Sequence, residues 1–284
     1  PSAATPRWRH YARGRYGQVH VFTTAPAPGA ARARPLVCLH PSPTSGEMFA
    51  DLAAELATDR VVHCPDTPGF GASDAPPVKP TVADYGGALG DALADLGYGD
   101  ERSPLGPVDL FGFHTGSLCA VELALQRPGM VRRLALAGVP HYESAQRERE
   151  RASHVRPYPY FEERDYVGEM FRRLVLDAHD SGEPEQRLRR FGDRLRAGRN
   201  GWWGPDAVFT YDSVAALPRL AVPTLFIAFN EEMTAPTRAA SRLIAGARLV
   251  EMLDLPIFGF IVDPRRVAAT LKAFFDAPPP QRTV

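Results

Sequence analysis

The chain has 284 residues, 33 of them basic and 33 acidic, so it carries no formal net charge. Its 44% hydrophobic and 23% charged content is that of an ordinary folded protein. The arginines are scattered, so neither nucleic acid nor an anionic membrane surface is expected as a partner. Cys38, Cys64 and Cys119 lie far apart in apolar runs and are odd in number, which excludes a disulfide framework and points to a reducing, cytoplasmic setting.

Trp8 to Arg13 and Gln18 to Thr23 read as an antiparallel pair around a turn at Gly14 to Gly17. Ala25 to Pro35 reads as a loop. Pro35 to His40 is a buried strand, followed by a helix from Glu47 to Ala57 with Phe49, Leu52 and Leu56 on one face. Arg60 to Cys64 is a strand, and Thr81 is positioned to cap a helix that runs to Leu96. A strand at Val108 to Phe111, a helix ending near Arg127 and a strand at Arg133 to Val139 follow. Later, Pro223 to Phe229 and Ala247 to Met252 are strands, and Pro264 to Phe275 is the last helix before a loose tail, 277–284. No apolar stretch is long enough to cross a bilayer. The alternation predicts the α/β class, with a mostly parallel central sheet flanked by helices.

Between His141 and about Leu220 the pattern changes to helical, charged and aromatic. A segment of this size between two strands predicts an inserted cap (141–220) on a core formed by 1–140 and 221–284. Within it, Arg187-Leu188-Arg189-Arg190 reads as the solvated face of a helix.

Residues 112 to 116 read Gly-Phe-His-Thr-Gly, between a buried strand and a small-residue helix start. Asp66-Thr67-Pro68-Gly69-Phe70-Gly71-Ala72-Ser73-Asp74 follows one strand, and Leu39-His40-Pro41-Ser42-Pro43 follows another. Together these stretches resemble the α/β-hydrolase superfamily, in particular its lid-bearing branch of epoxide hydrolases and haloperoxidase-like enzymes. The resemblance covers nearly all of the chain outside the cap. It implies that 112–116 is the nucleophile elbow, written Gly-x-Ser-x-Gly in the family. Here His114 stands where the attacking serine belongs.

The resemblance also implies an oxyanion hole made by the backbone N–H groups of Ser42 and Thr115. It puts the acid after the strand ending near Phe229, in Phe229-Asn230-Glu231-Glu232-Met233, where Glu232 falls on the expected position and Glu231 is its neighbour. The family's catalytic histidine has no counterpart. Ile257 or Phe258 occupies its place, and no histidine follows His179. A Ser-His-acid relay therefore cannot be assembled. The resemblance thus implies a hydrolase fold with a degenerate triad.

At the start of a helix, under an aromatic cap, a neutral His114 imidazole is favoured. It would serve as a general base or as a hydrogen-bond donor, oriented by Glu232. His40 and His141 lie at carboxyl ends of strands, where open α/β sheets bind ligands, and join Phe113, Trp202, Trp203, Ile257 and Phe258 as pocket candidates. His40 also reads as a loop-stabilising residue and His63 as structural. His10, His20, His154 and His179 are given no role. The histidines lack metal-ligand spacing and no phosphate-binding glycine loop follows the first strand, so no metal and no cofactor are expected.

Three functions remain open from the sequence. One is a non-hydrolytic enzyme (lyase, cyclase or isomerase) acting by proton transfer on an apolar, carbonyl-bearing small molecule, as in secondary metabolism. A second is a hydrolase using water activated by His114. The third is an inactive ligand-binding relative. A small-molecule partner is expected in each, as a monomer or a homodimer.

Overall fold

The amino-terminal hairpin forms where side chains alternate. In the computed structural model, which describes residues 6–178 and 182–278, β1 (Arg7–Gly14) pairs antiparallel with β2 (Gly17–Thr24), and Gly14 faces Gly17 across the turn. His179 and the tail beyond residue 278 lie outside the described residues. β3 (Leu36–Leu39) and β4 (Val62–Pro65) are short and wholly buried, as strands covered on both faces must be. Between them, a 3-10 turn at Gly46–Phe49 leads into α1 (Ala50–Leu56). The single helix expected from Glu47 to Ala57 is therefore two pieces.

Helix α2 (Val82–Asp95) starts where expected. The Thr81 hydroxyl accepts from the Asp84 N–H, and the Asp84 carboxylate accepts from the Thr81 N–H, a reciprocal capping box. Then come β5 (Val108–Phe113), α3 (Thr115–Gln126) and β6 (Val131–Ala137). After the cap, β7 (Thr224–Asn230) and β8 (Arg248–Pro256) complete an eight-stranded sheet among the described residues. Its order is β1-β2-β4-β3-β5-β6-β7-β8, and β3 to β8 run parallel.

Two apolar cores form, one on each face. One joins Val37, Leu110 and Phe226 to Leu89, Leu118 and Leu123. The other joins Cys38, Phe111 and Ile227 to Leu52, Phe260 and Phe275. All three cysteines are free and buried.

The segment between β6 and β7 is helical. It holds α4 (Ser144–His154), α5 (Tyr166–Phe171) with a π-helical turn at Arg172–Leu176, α6 (Pro184–Ala197), α7 (Trp203–Thr210) and α8 (Ser213–Ala216). Asp206 of α7 is 2% exposed and accepts from Lys79 Nζ at 2.5 Å and from Arg151 Nε of α4 at 2.7 Å, tying this segment to the core. The core finishes with α9 (Thr234–Ser241), α10 (Gly259–Val262) and α11 (Pro264–Phe275), the last one started by Asp263 accepting from the Arg266 N–H. No helix of the described residues is long and apolar enough to cross a membrane.

Candidate active site

The turn at the end of β5 is built by its glycines. A Cβ on Gly112 would lie 2.5 Å from the Gly116 carbonyl oxygen, and one on Gly116 would collide with the Leu39 carbonyl. Strand and helix can approach this closely only with glycine at both places. The residue at the tip, His114, has φ 48° and ψ −119°, and is the one non-glycine residue with positive φ among those described. Such a conformation costs on the order of 1–3 kcal/mol and persists only where the surroundings impose it. Here the His114 N–H donates to the Ala137 carbonyl and its C=O accepts from the Ser117 N–H and hydroxyl.

The His114 ring reaches across the sheet. Nε2 lies 2.6 Å from Oε2 of Glu231, whose side chain is 2% exposed against 24% for the histidine. Glu231 follows directly on β7. Its N–H donates to the Thr234 hydroxyl, which in turn donates at 2.6 Å to the carbonyl of Phe229 or Glu231. The other carboxylate oxygen, Oε1, is buried without a partner. The acid that meets His114 is therefore Glu231, while Glu232, the residue expected from the sequence, is exposed. Beside it the β7–β8 pairing is irregular: Phe229 pairs with Met252 and Asn230 with Pro256.

A carboxylate accepts, so in the tautomer that donates to Glu231 the proton is on Nε2 and Nδ1 is the accepting nitrogen. The edge carrying Nε2 and Cδ2 lies over Gly138, where any Cβ would collide with the ring and stand 2.7 Å from Glu231 Oε1. That leaves the Nδ1 edge outward, with no hydrogen-bond partner among the described residues. One face of the ring packs on Phe113, with centroids 4.1 Å apart and planes tilted by 30°. Phe113 in turn meets Phe258 at 6.0 Å, so the loop that carries the family's histidine contributes a phenyl ring here. Ile257 beside it is half-buried against the same core.

The two expected oxyanion donors differ. The Thr115 N–H, at the first turn of α3, has no partner among the described residues. The Ser42 N–H is turned to the Thr115 hydroxyl at 3.3 Å. Ser42 Oγ is buried without a partner, and the backbone of Gly204 in α7 packs so closely on it that a side chain at 204 would collide.

The remaining candidates are spread out. His40 is fully buried in its loop, where Nδ1–H donates to the Pro41 carbonyl at 2.9 Å and Nε2 accepts from the Thr67 N–H at 2.8 Å. Burial holds it below the ordinary imidazole range. Its role is to shape the two loops. His141 contacts Ser213 Oγ at 2.9 Å and is also pushed down by burial. Ser213 is 1% exposed, so this serine–histidine pair braces the two ends of the cap against each other and is closed to substrate. Trp202 stacks under the Lys79 ammonium at 5.1 Å, and Trp203 lines a cleft with Pro68, Phe70 and Tyr85. Neither borders the cavity above Ser42. That cavity, of about 530 Å³, is lined by Ser42, Pro43, Tyr158, Met170, Arg173 and Arg194 among others.

Two residues missed from the sequence belong to the site. Gly138 has φ 55° and cradles the dyad. Tyr142 donates to Met233 Sδ at 3.2 Å, and burial raises its hydroxyl to about 12, with Glu150, Glu232 and Glu231 adding to the effect. Their signal was present in Gly138-Val139-Pro140-His141-Tyr142 after β6, but nothing in its spacing marked it.

A mostly parallel sheet with a strained turn after β5, an acid after β7 and a helical segment between β6 and β7 fits the architecture of the α/β-hydrolases. A sequence model of the alpha/beta hydrolase fold matches residues 34–253, and the chain belongs to that family. Among solved structures it is similar to a hydrolase from Pseudomonas aeruginosa PA01 (22% identity, 95% of this chain and 98% of that one, TM-score 0.76). It is also similar to the enol-lactonase from Burkholderia xenovorans LB400 (20%, 94% and 100%, TM-score 0.76) and to a bromoperoxidase from Bacillus anthracis (17%, 95% and 100%, TM-score 0.72). At these identities the likeness speaks for the fold. A comparison with curated proteins returns no match.

Proposed function

We propose that this α/β-hydrolase-fold protein is an enzyme that moves a proton on a carbonyl-bearing small molecule, with His114 as the base. The observation that carries the reading is the 2.6 Å contact between His114 Nε2 and Glu231. A carboxylate behind an imidazole fixes its tautomer and stabilises the imidazolium that forms when the outer nitrogen takes a proton. Nδ1 would abstract a proton next to the carbonyl, and the charge that develops on oxygen would be met by the Thr115 N–H at the positive end of α3. No serine or cysteine in the site has a base beside it: Ser117 donates to the His114 carbonyl, and Cys119 is fully buried, its thiol pushed up to about 12 by burial. The chemistry that follows is therefore rearrangement, elimination or ring closure, without an acyl-enzyme.

The test is proton exchange. The protein is incubated in deuterium oxide with a panel of cyclic ketones and 3-oxo acids, and deuterium uptake at the acidic carbon is followed by mass spectrometry. Exchange above background that disappears in His114→Ala supports the reading. Brisk turnover of nitrophenyl esters with fluorophosphonate labelling of a serine overturns it, as does equal exchange by the wild type and His114→Ala.

A further inference from the structure

The sequence places Arg187 to Arg190 on a solvated helix face; Leu188 and Arg189 are exposed there, but Arg187 is not. Arg187 is 7% exposed, and its Nε and Nη1 are buried without a hydrogen-bond partner among the described residues. A buried guanidinium with nothing to receive its protons is costly, because desolvation of the charge goes uncompensated. Such a group persists where something outside the chain completes it.

Its neighbours say where that ligand comes from. At helical spacing Arg187, Arg190 and Arg194 fall on one stripe of α6, the stripe that also carries the buried Phe191 and Ala197. The Arg190 guanidinium sits 4.7 Å over the Phe258 ring, and Phe258 leads through Phe113 to His114. Arg194 lines the cavity over Ser42. The stripe thus runs from Phe258, after β8, to the cavity over Ser42, after β3. Asp193, three residues beyond Arg190, is committed elsewhere: its Oδ2 accepts from Ser45 Oγ at 2.6 Å, and burial raises the carboxyl to about 6. Burial and then the charge of Arg187 pull Arg190 down to about 10, with Asp193 acting in the opposite sense.

We infer that this stripe is the anion subsite of the pocket, and that the substrate is an organic acid whose carboxylate seats against Arg187 while its carbonyl meets His114. The inference rests on the proposed function for its second half only. A carboxylate matches the planar guanidinium fork. It is also a single charge, less costly to bring among Phe191, Phe171 and Phe258 than a doubly charged phosphate.

The test is equilibrium binding of 2-naphthoate and its uncharged analogue 2-naphthamide by titration calorimetry, to the wild type, Arg187→Met, Arg187→Lys and His114→Ala. Naphthoate is expected to bind at least tenfold more tightly than naphthamide. Arg187→Met is expected to abolish the preference while its thermal midpoint stays level or rises, and Arg187→Lys to restore part of it. His114→Ala should keep it. Equal affinity for the two probes, no binding of naphthoate at millimolar concentration, an unchanged preference in Arg187→Met, or displacement of naphthoate by inorganic phosphate at equal concentration overturns the inference. Loss of the preference in Arg187→Met together with undiminished exchange in His114→Ala would remove the proposed function and leave the subsite standing.

Discussion

His114 and Glu231 stand at the ends of β5 and β7, two strands that are not neighbours in the sheet. β6 lies between them, and the contact passes over Gly138, just beyond the end of β6. The imidazole thus spans the width of one strand to reach the carboxylate.

The two adjacent glutamates should behave very differently. Glu231→Gln keeps the shape of the contact but donates or accepts without a charge, so the imidazolium loses its stabiliser. Deuterium exchange is expected to fall about 100-fold or more. Glu232→Gln, at an exposed position, should change it less than about threefold. Equal losses in the two variants would contradict the assignment of the acid.

Gly138→Ala tests the cradle. The added methyl would meet the His114 ring and Glu231 at once, at a residue whose φ of 55° already disfavours a side chain. The expected outcome is loss of exchange comparable to His114→Ala, together with about 2 kcal/mol of lost stability in urea unfolding. A fully active Gly138→Ala would mean that the dyad geometry is dispensable.

The backbone at 114 stores strain that glycine would release. His114→Gly is expected to be more stable than His114→Ala by about 1 kcal/mol, although both lose the ring. Urea midpoints of the two variants decide this, and a more stable alanine variant would argue against strain at the tip.

Acid should weaken the fold through His63. Its Nδ1 lies 2.9 Å from Thr23 Oγ1 and its Nε2 2.8 Å from Tyr98 OH, and burial followed by repulsion from His10 lowers it to about 4. A folded value below the unfolded one near 6.5 means that the neutral ring's contribution is fully present above pH 6.5. It is lost as pH falls towards 4, amounting to about 2 kcal/mol by pH 5. His63→Gln should flatten the slope of unfolding free energy between pH 7 and 4.5, and an unchanged slope would assign the acid sensitivity to other groups.

The fold was legible because its signals are local. Thr81 with Asp84, Asp263 before Pro264, and the glycines around His114 each specify a turn or a helix start by their own backbone demands. The site was legible as far as motifs reach. The elbow named His114, but which of two adjacent glutamates turns inward after β7 depends on the contact with His114, and no local pattern reports it. The cap was hardest. Which face of α6 turns inward depends on contacts with Phe258 and Ser45, more than 60 and 140 residues away, so Arg187 looked like surface and the two tryptophans like pocket.

The conformation at residue 114 is the one the family uses to project serine, and it is intact here around a different side chain. Restoring the hydroxyl by His114→Ser would therefore seat the oxygen correctly yet leave it inert. Among the described residues, the imidazole in contact with Glu231 would have been removed, and the Phe258 ring against Phe113 takes no protons. A serine at 114 would need a second substitution that sets a base beside Glu231.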